Sequence, residues 1–384
     1  MHRREKNKRN GAYFAAGRGN FLMFTEIQEM QQQQAKKLAS SILKYAIFIA
    51  IGAGLFYFLY NNVDIEQMRK VLREDVNYLW FIPVVVVSIF SHIFRACRWR
   101  LQLRAIGIDA PLSALINSIF GTYAVNLIFP RLGEVWRTGY VASRQKASFT
   151  AVLGSMVADR LSDTVTVLLL TVFTFFIAQG AFYEFLHTYP QVKDGLWNIV
   201  TSPWVWGAVA ACVAAVVWLF TSNTQNRFIV KIKQMVANLW EGFSAIGRME
   251  GKWWFLAYTI LIWGCYFLQL YIATFAFSFT HDIGLKATLV LFVLSSIGMG
   301  IPTNGGLGSW HIAIIFGLSI YGVGRFDPSN FDPQASAFAM LVWGVQTALL
   351  IVLGIYAFTY IAIDRRRIRS GKTVVRTSGS GMKL

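Results

Sequence analysis

At 384 residues, with 55% hydrophobic, 15% aromatic and only 14% charged side chains and a mean hydropathy of +0.47, the chain holds more apolar surface than a soluble domain can bury. Its formal net charge of +17 does not point to nucleic acid, because the basic residues fall in short runs between apolar stretches rather than on one polar face. Cys97, Cys212 and Cys265 form no CxxC or Cys/His grouping, so neither a metal nor a disulfide framework is expected, and no cofactor motif or catalytic signature is present.

In chain order, residues 1–43 are polar, basic and glutamine-rich, with QQQQ at 31–34, and contain neither a span nor a signal peptide. Met23 and Met30 offer alternative starts within them. Long apolar stretches follow at about 45–60, 79–94, 112–130, 150–179, 203–220, 253–280, 287–324 and 335–362, and residues 364–384 form a basic tail. A membrane-spanning helix needs about 20 residues. As one helix, 287–324 would reach roughly 57 Å, nearly twice the hydrocarbon thickness, and it is interrupted by IPTNGGLG. It must fold back.

The segment 112–130 lies between two basic stretches, RACRWRLQLR and PRLGEVWRTGYVASRQK. If it crossed the membrane, one of them would lie outside and every later loop would invert, against the positive-inside rule. If it dips in and returns, 29 of the 36 Lys and Arg lie in the cytoplasm, together with both termini. The expected fold is an all-α polytopic protein of the cell membrane, its transmembrane domain spanning 44–363. It has eight apolar segments: about six full spans and two re-entrant, broken helices. Span, broken segment and span recur at about 79–179 and 253–362 in opposite orientation, the pattern of inverted-repeat transporters with a midplane site.

Both breaks read P-x-x-G: Pro130 with Gly133, and Pro302 with Gly305. Irregular backbone at membrane depth survives only against protein or a polar cavity, so the breaks should face each other or a cavity. Gly305, Gly306 and Gly308 permit a tight turn whose N–H groups, with the helix that follows, favour an anion. At the first break, Glu134 and Arg137 share a helical face and can pair. Either they only end the segment, or the arginines Arg131 and Arg137 bind a phosphate. Within the span 150–179, Asp159, Arg160 and Asp163 are intramembrane charges and so site candidates. Asn126 precedes the first break. His311, the only Asp, Glu, Lys, Arg or His in 287–324, is either a satisfied hydrogen-bonding group or a proton relay. Arg95, Arg98 and Arg100 read as a basic stretch attracted to anionic lipid at the inner surface.

Taken together, RACRWR at 95–100, NLIFPRLGEVWR at 126–137, DRLSD at 159–163 and PTNGGLG at 302–308 resemble the lysylphosphatidylglycerol synthase transmembrane-region family, over about residues 40–365. That family includes flippase halves of bifunctional enzymes and stand-alone flippase-like proteins. The resemblance implies translocation of an anionic or aminoacylated phospholipid, or another lipid-linked headgroup. Arg131, Arg137 and Arg160 would hold the phosphate, with Asn126, Glu134, Asp159 and Asp163 beside them. The family often has Glu-Arg where this chain has Asp159-Arg160, and a glutamate near His311. No soluble aminoacyl-transfer domain is expected after the membrane region, so lysyl transfer by this chain alone is not expected. The alternative is a membrane-embedded transferase, or an accessory subunit, with Glu134 or Asp163 as base. Expected partners are the lipid substrate and membrane lipids, with a second copy or a lipid-biosynthetic enzyme as protein partners.

Overall fold

The computed structural model describes residues 50–129, 131–188, 190–222, 229–230, 233, 249–301 and 303–370. Pro130, Pro302, the N-terminal tail and residues 371–384 therefore lie outside the described residues. The chain divides into two compact units, Met1–Ile51 and Gly52–Leu384. Only Ala50 and Ile51 of the first are described, and the helical frame belongs to the second.

The described residues are helical, apart from turns and two isolated β-bridges. The apolar helix Ala50–Asn61 is α1. The short α2 (Ile65–Glu74) starts at Asp64, whose carboxylate accepts from the Gln67 N–H at 3.0 Å and satisfies an otherwise unpaired first-turn donor. The remaining helices are α3 (Phe81–Ala105), α4 (Leu112–Ile128), α5 (Leu132–Gln145), α6 (Phe149–Thr188), α7 (Pro190–Thr201) and α8 (Pro203–Thr221), followed by α9 (Lys252–Thr274), α10 (Gly284–Gly298), α11 (Ser309–Ile320) and α12 (Pro333–Arg369). Asp332 caps α12 by accepting from the Gln334 and Ala335 N–H groups, and Pro333 supplies a preset φ at its first position.

Among the described residues, four stretches are long and apolar enough to cross a membrane: Tyr78–Ala105, Phe149–Glu184, Lys252–Thr274 and Pro333–Ile368. The sequence expectation of one span over 253–280 is shortened, because α9 ends at Thr274 and Phe275–Ile283 turns through a short 3-10 segment. α12 runs on to Arg369, and within its last turns Asp364 is buried and pairs with Arg144 of α5.

Both interrupted segments are helical hairpins. In the first, Phe129 precedes a proline and is extended, and Arg131 takes a left-handed conformation at φ 62°. The chain then returns along α4. A Cβ on Gly133 would lie 2.2 Å from the Thr122 carbonyl oxygen, so glycine alone permits this approach. At the far end, Gln145 Nε2 donates to the Asp109 carbonyl at 2.6 Å, which fixes the two helices antiparallel. In the second hairpin, Gly298 packs on Ser309 and Ala313, and Gly317 on Leu291 and Leu294. Between its arms Gly305, Gly306 and Gly308 have φ of 58°, 79° and 78°, and Gly308 sits against Leu55 of α1.

The hairpins are cross-braced. α3 runs antiparallel to α9, with Arg95 beside Tyr266 and Arg98 beside Thr259. α4, an arm of the first hairpin, packs on α12, and α10, an arm of the second, packs on α6. Two apolar clusters hold the frame. One gathers Leu59, Phe277, Leu291, Ile314 and Phe338; the other gathers Trp99, Leu103, Leu115, Ile119 and Ile361.

Candidate functional site

Two centres come from the breaks and the charged helices. The first is the contact between the hairpin tips. Arg131 Nη2 donates to the Gly300 carbonyl at 2.8 Å, and Asn304 Nδ2 donates to the carbonyls of Leu127 and Ile128 at 3.2 and 3.1 Å. Trp343 Nε1 of α12 donates to the Gly305 carbonyl at 2.8 Å. The breaks thus face each other, and their free carbonyls find donors, as non-helical backbone away from water requires. Arg131 is at this joint and exposed, not among the buried arginines.

The second centre is a buried charge cluster. α3 supplies Arg95 and Arg98, α5 supplies Glu134 and Arg137, and α6 supplies Asp159, Arg160 and Asp163. Asp159 and Asp163 are one turn apart on the α6 face toward α3. Arg98 bridges them, with Nη2 2.7 Å from an oxygen of each, and Arg95 Nη1 lies 2.7 Å from Asp163 Oδ2. Arg95 also donates to the Tyr266 hydroxyl at 3.2 and 3.3 Å, and that hydroxyl lies 3.3 Å from the Tyr123 hydroxyl. The side chains of Arg95 and Arg98 are 3% and 0% exposed. This corrects their expected place at the inner surface: each buried carboxylate needs a partner, and α3 brings these guanidinium groups inward to supply it. Arg100, half-buried, instead faces Asp109, 3.4 Å away. Arg104, which donates at 2.9 Å, and then Arg100 hold the Asp109 carboxyl below the usual carboxylate range.

Of the two readings left open for Glu134 and Arg137, the pairing with each other is not found among the described residues. Glu134 accepts from Asn126 Nδ2 at 3.2 Å and lies 3.6 Å from Arg160. Asn126 Oδ1 accepts from the Gly133 N–H at 2.8 Å, so this residue caps the returning helix. Arg137 is fully buried, and among the described residues none of its three side-chain nitrogens has a hydrogen-bond partner. Its nearest carboxylate oxygen is Asp159 Oδ2 at 3.7 Å, and its guanidinium lies 4.4 Å from the Trp99 ring centre. Four guanidinium groups thus meet three carboxylates. Arg160, 36% exposed at its side chain, and Glu134 at 15% open the cluster outward.

The contributions of Trp99, Tyr123, Thr259 and Tyr266 were not foreseen, nor was His92, a buried imidazole 4.7 Å from the Tyr123 ring. A signal did exist: arginines three apart at 95 and 98 match carboxylates four apart at 159 and 163. His311 joins neither centre. It is enclosed by Phe56, Tyr60, Trp310 and Trp343.

A helical membrane protein with two facing hairpins and a buried arginine cluster is the class these features define. The sequence profile described as "Lysylphosphatidylglycerol synthase TM region" matches residues 42–354, most of the chain. The protein belongs to that family. Neither a search of curated proteins nor one of solved structures finds a match.

Proposed function

We propose that this protein is a lipid flippase-like transporter that takes the phosphate of an anionic or aminoacylated phospholipid, or of another lipid-linked headgroup, onto Arg137 and passes it between leaflets. The observation that carries the reading is the buried Arg137 guanidinium, without a hydrogen-bond partner among the described residues, in a cluster where those residues supply one more arginine than carboxylate. A buried charge without full pairing costs several kcal/mol. A phosphate oxygen would complete it, and the planar fork of arginine suits two such oxygens. Arg160 is the entry residue, exchanging Glu134 for the incoming headgroup. Asp159 and Asp163 hold Arg95 and Arg98 in place.

In this reading the α4–α5 hairpin enters the cell membrane from the cytoplasm and the α10–α11 hairpin from outside, with both termini cytoplasmic. The basic-residue distribution supports that orientation. Antiparallel α3 and α9 and the exchanged packing of α4 on α12 and α10 on α6 support an inverted repeat, whose facing tips form the gate. The occupancy of Asp163 favours transport over transfer: both its oxygens are bonded to guanidinium groups, which leaves a poor general base.

The test is leaflet-resolved labelling of amine-bearing and phosphodiester lipids in vesicles containing the purified protein, with lipid chemistry followed in parallel. Labelled headgroup crossing with unchanged lipid is the expected result. No crossing above protein-free vesicles, or a new lipid species formed with donor present, would overturn the proposal.

A further inference from the structure

His311 is the buried titratable group that the arginine cluster leaves unused. It lies in the first turn of α11, immediately beyond the glycine-rich turn whose tip meets the first hairpin. Its side chain is fully buried, and among the described residues neither ring nitrogen has a hydrogen-bond partner. Four aromatic rings surround it. Phe56 and Tyr60 of α1 lie at 5.9 and 6.2 Å between ring centres, Trp310 at 5.8 Å and Trp343 of α12 at 5.2 Å. The Tyr60 hydroxyl is also buried and, among the described residues, without a hydrogen-bond partner. Among the four rings facing His311, Tyr60 is the titratable one, and among the described residues no ion pair reaches the imidazole.

We infer that His311 is a proton-binding site that controls the second hairpin, and that the arrangement seen here is its proton-free, closed state. An imidazolium in this cage would have neither water nor a counter-ion, which is costly. The ring faces alone are a partial substitute. Protonation is therefore favoured in a conformation that hydrates the ring, and a ligand shifts the population toward the state it binds better.

The route from this site to the gate is short. Trp343 touches the His311 ring and holds the Gly305 carbonyl, so hydrating His311 displaces the side chain that pins the turn. One turn further along α12, Gln346 donates to Gln269 at 3.0 Å and accepts from Ser88 at 2.9 Å, on the two helices that supply Tyr266 and Arg95. Lowering the pH favours the open hairpin, and raising it favours the closed one.

This inference deepens the transport reading and rests on it for meaning, but its test does not depend on transport. Thr303 is 6% exposed, and its hydroxyl lies 3.1 Å from Ser309 Oγ beneath the turn. Thr303→Cys, with Cys97, Cys212 and Cys265 changed to alanine, is reconstituted in phosphatidylglycerol/phosphatidylethanolamine vesicles. A water-soluble maleimide then reads its exposure between pH 8 and pH 5. Labelling, corrected for the intrinsic thiol rate, should rise as pH falls, by at most about tenfold per pH unit for one proton. His311→Gln, and His311→Asn should the first variant fold poorly, should label independently of pH.

Labelling of the wild-type background that ignores pH, or a pH response that persists in both His311 variants, would overturn the inference. Headgroup crossing is measured in the same vesicles. A pH response that depends on His311 would establish the switch, and if no lipid crossed, the transport reading alone would fall.

Discussion

Arg137 and Arg98 are two arginines of the same buried cluster with opposite expected roles. Replacing Arg137 with methionine, which keeps volume against Trp99, leaves three guanidinium groups facing three carboxylates. Thermal stability should therefore be unchanged or raised, while headgroup affinity falls about 10- to 100-fold, the loss of one or two charge-assisted hydrogen bonds. Arg98→Met removes the bridge between Asp159 and Asp163 and leaves buried carboxylates underpaired, which should cost about 3–5 kcal/mol of stability. Thermal unfolding and headgroup binding of the two variants in detergent separate the roles. Equal destabilisation by both would remove the claim that Arg137 is reserved for a ligand. In sequence, both residues are simply arginines near the end of an apolar stretch. What distinguishes them is which carboxylates the α6 face presents, and that depends on the rotation of α3 against α6.

At the scale of elements, the first hairpin depends on a close approach that spacing could not reveal. Gly133 was legible as a turn glycine after Pro130. Its contact with the Thr122 carbonyl depends on how near α5 returns to α4, so Gly133→Ala should force the hairpin apart and lower stability by more than about 1 kcal/mol. Proteolysis and thermal unfolding would show this as earlier loss of α5. The base of the same hairpin is tied to α12. Arg144 Nε and Nη2 donate to Asp364 Oδ2 and Oδ1 at 2.7 and 3.1 Å, with both side chains under 10% exposed. A double-mutant cycle of Arg144→Ala and Asp364→Ala should return a coupling energy of about 1–3 kcal/mol. A value near zero would mean that the hairpin base is free to move without breaking this pair. In sequence Asp364 stands just past the end of an apolar run, and its pairing with Arg144, 220 residues away, could not be read there.

At the scale of the whole molecule, composition and periodicity were sufficient for the class: an all-helical membrane protein. The facing of the breaks was foreseeable from the cost of unpaired backbone away from water, and Asn304, Arg131 and Trp343 meet that demand. The cluster's full membership was not foreseeable, because Tyr266 lies 171 residues beyond Arg95 and Thr259 lies 161 beyond Arg98, and no local pattern links them. The same long-range arrangement brings a guanidinium without a hydrogen-bond partner among the described residues to the side of a hairpin whose tip rests on the other hairpin, and a mobile anionic headgroup would use that geometry. The most direct measurement is headgroup translocation in vesicles by the wild-type protein and by folded Arg137→Met. Crossing is expected in the first and its loss in the second, with the stability of the variant retained. Undiminished crossing by Arg137→Met would contradict a phosphate role for this arginine.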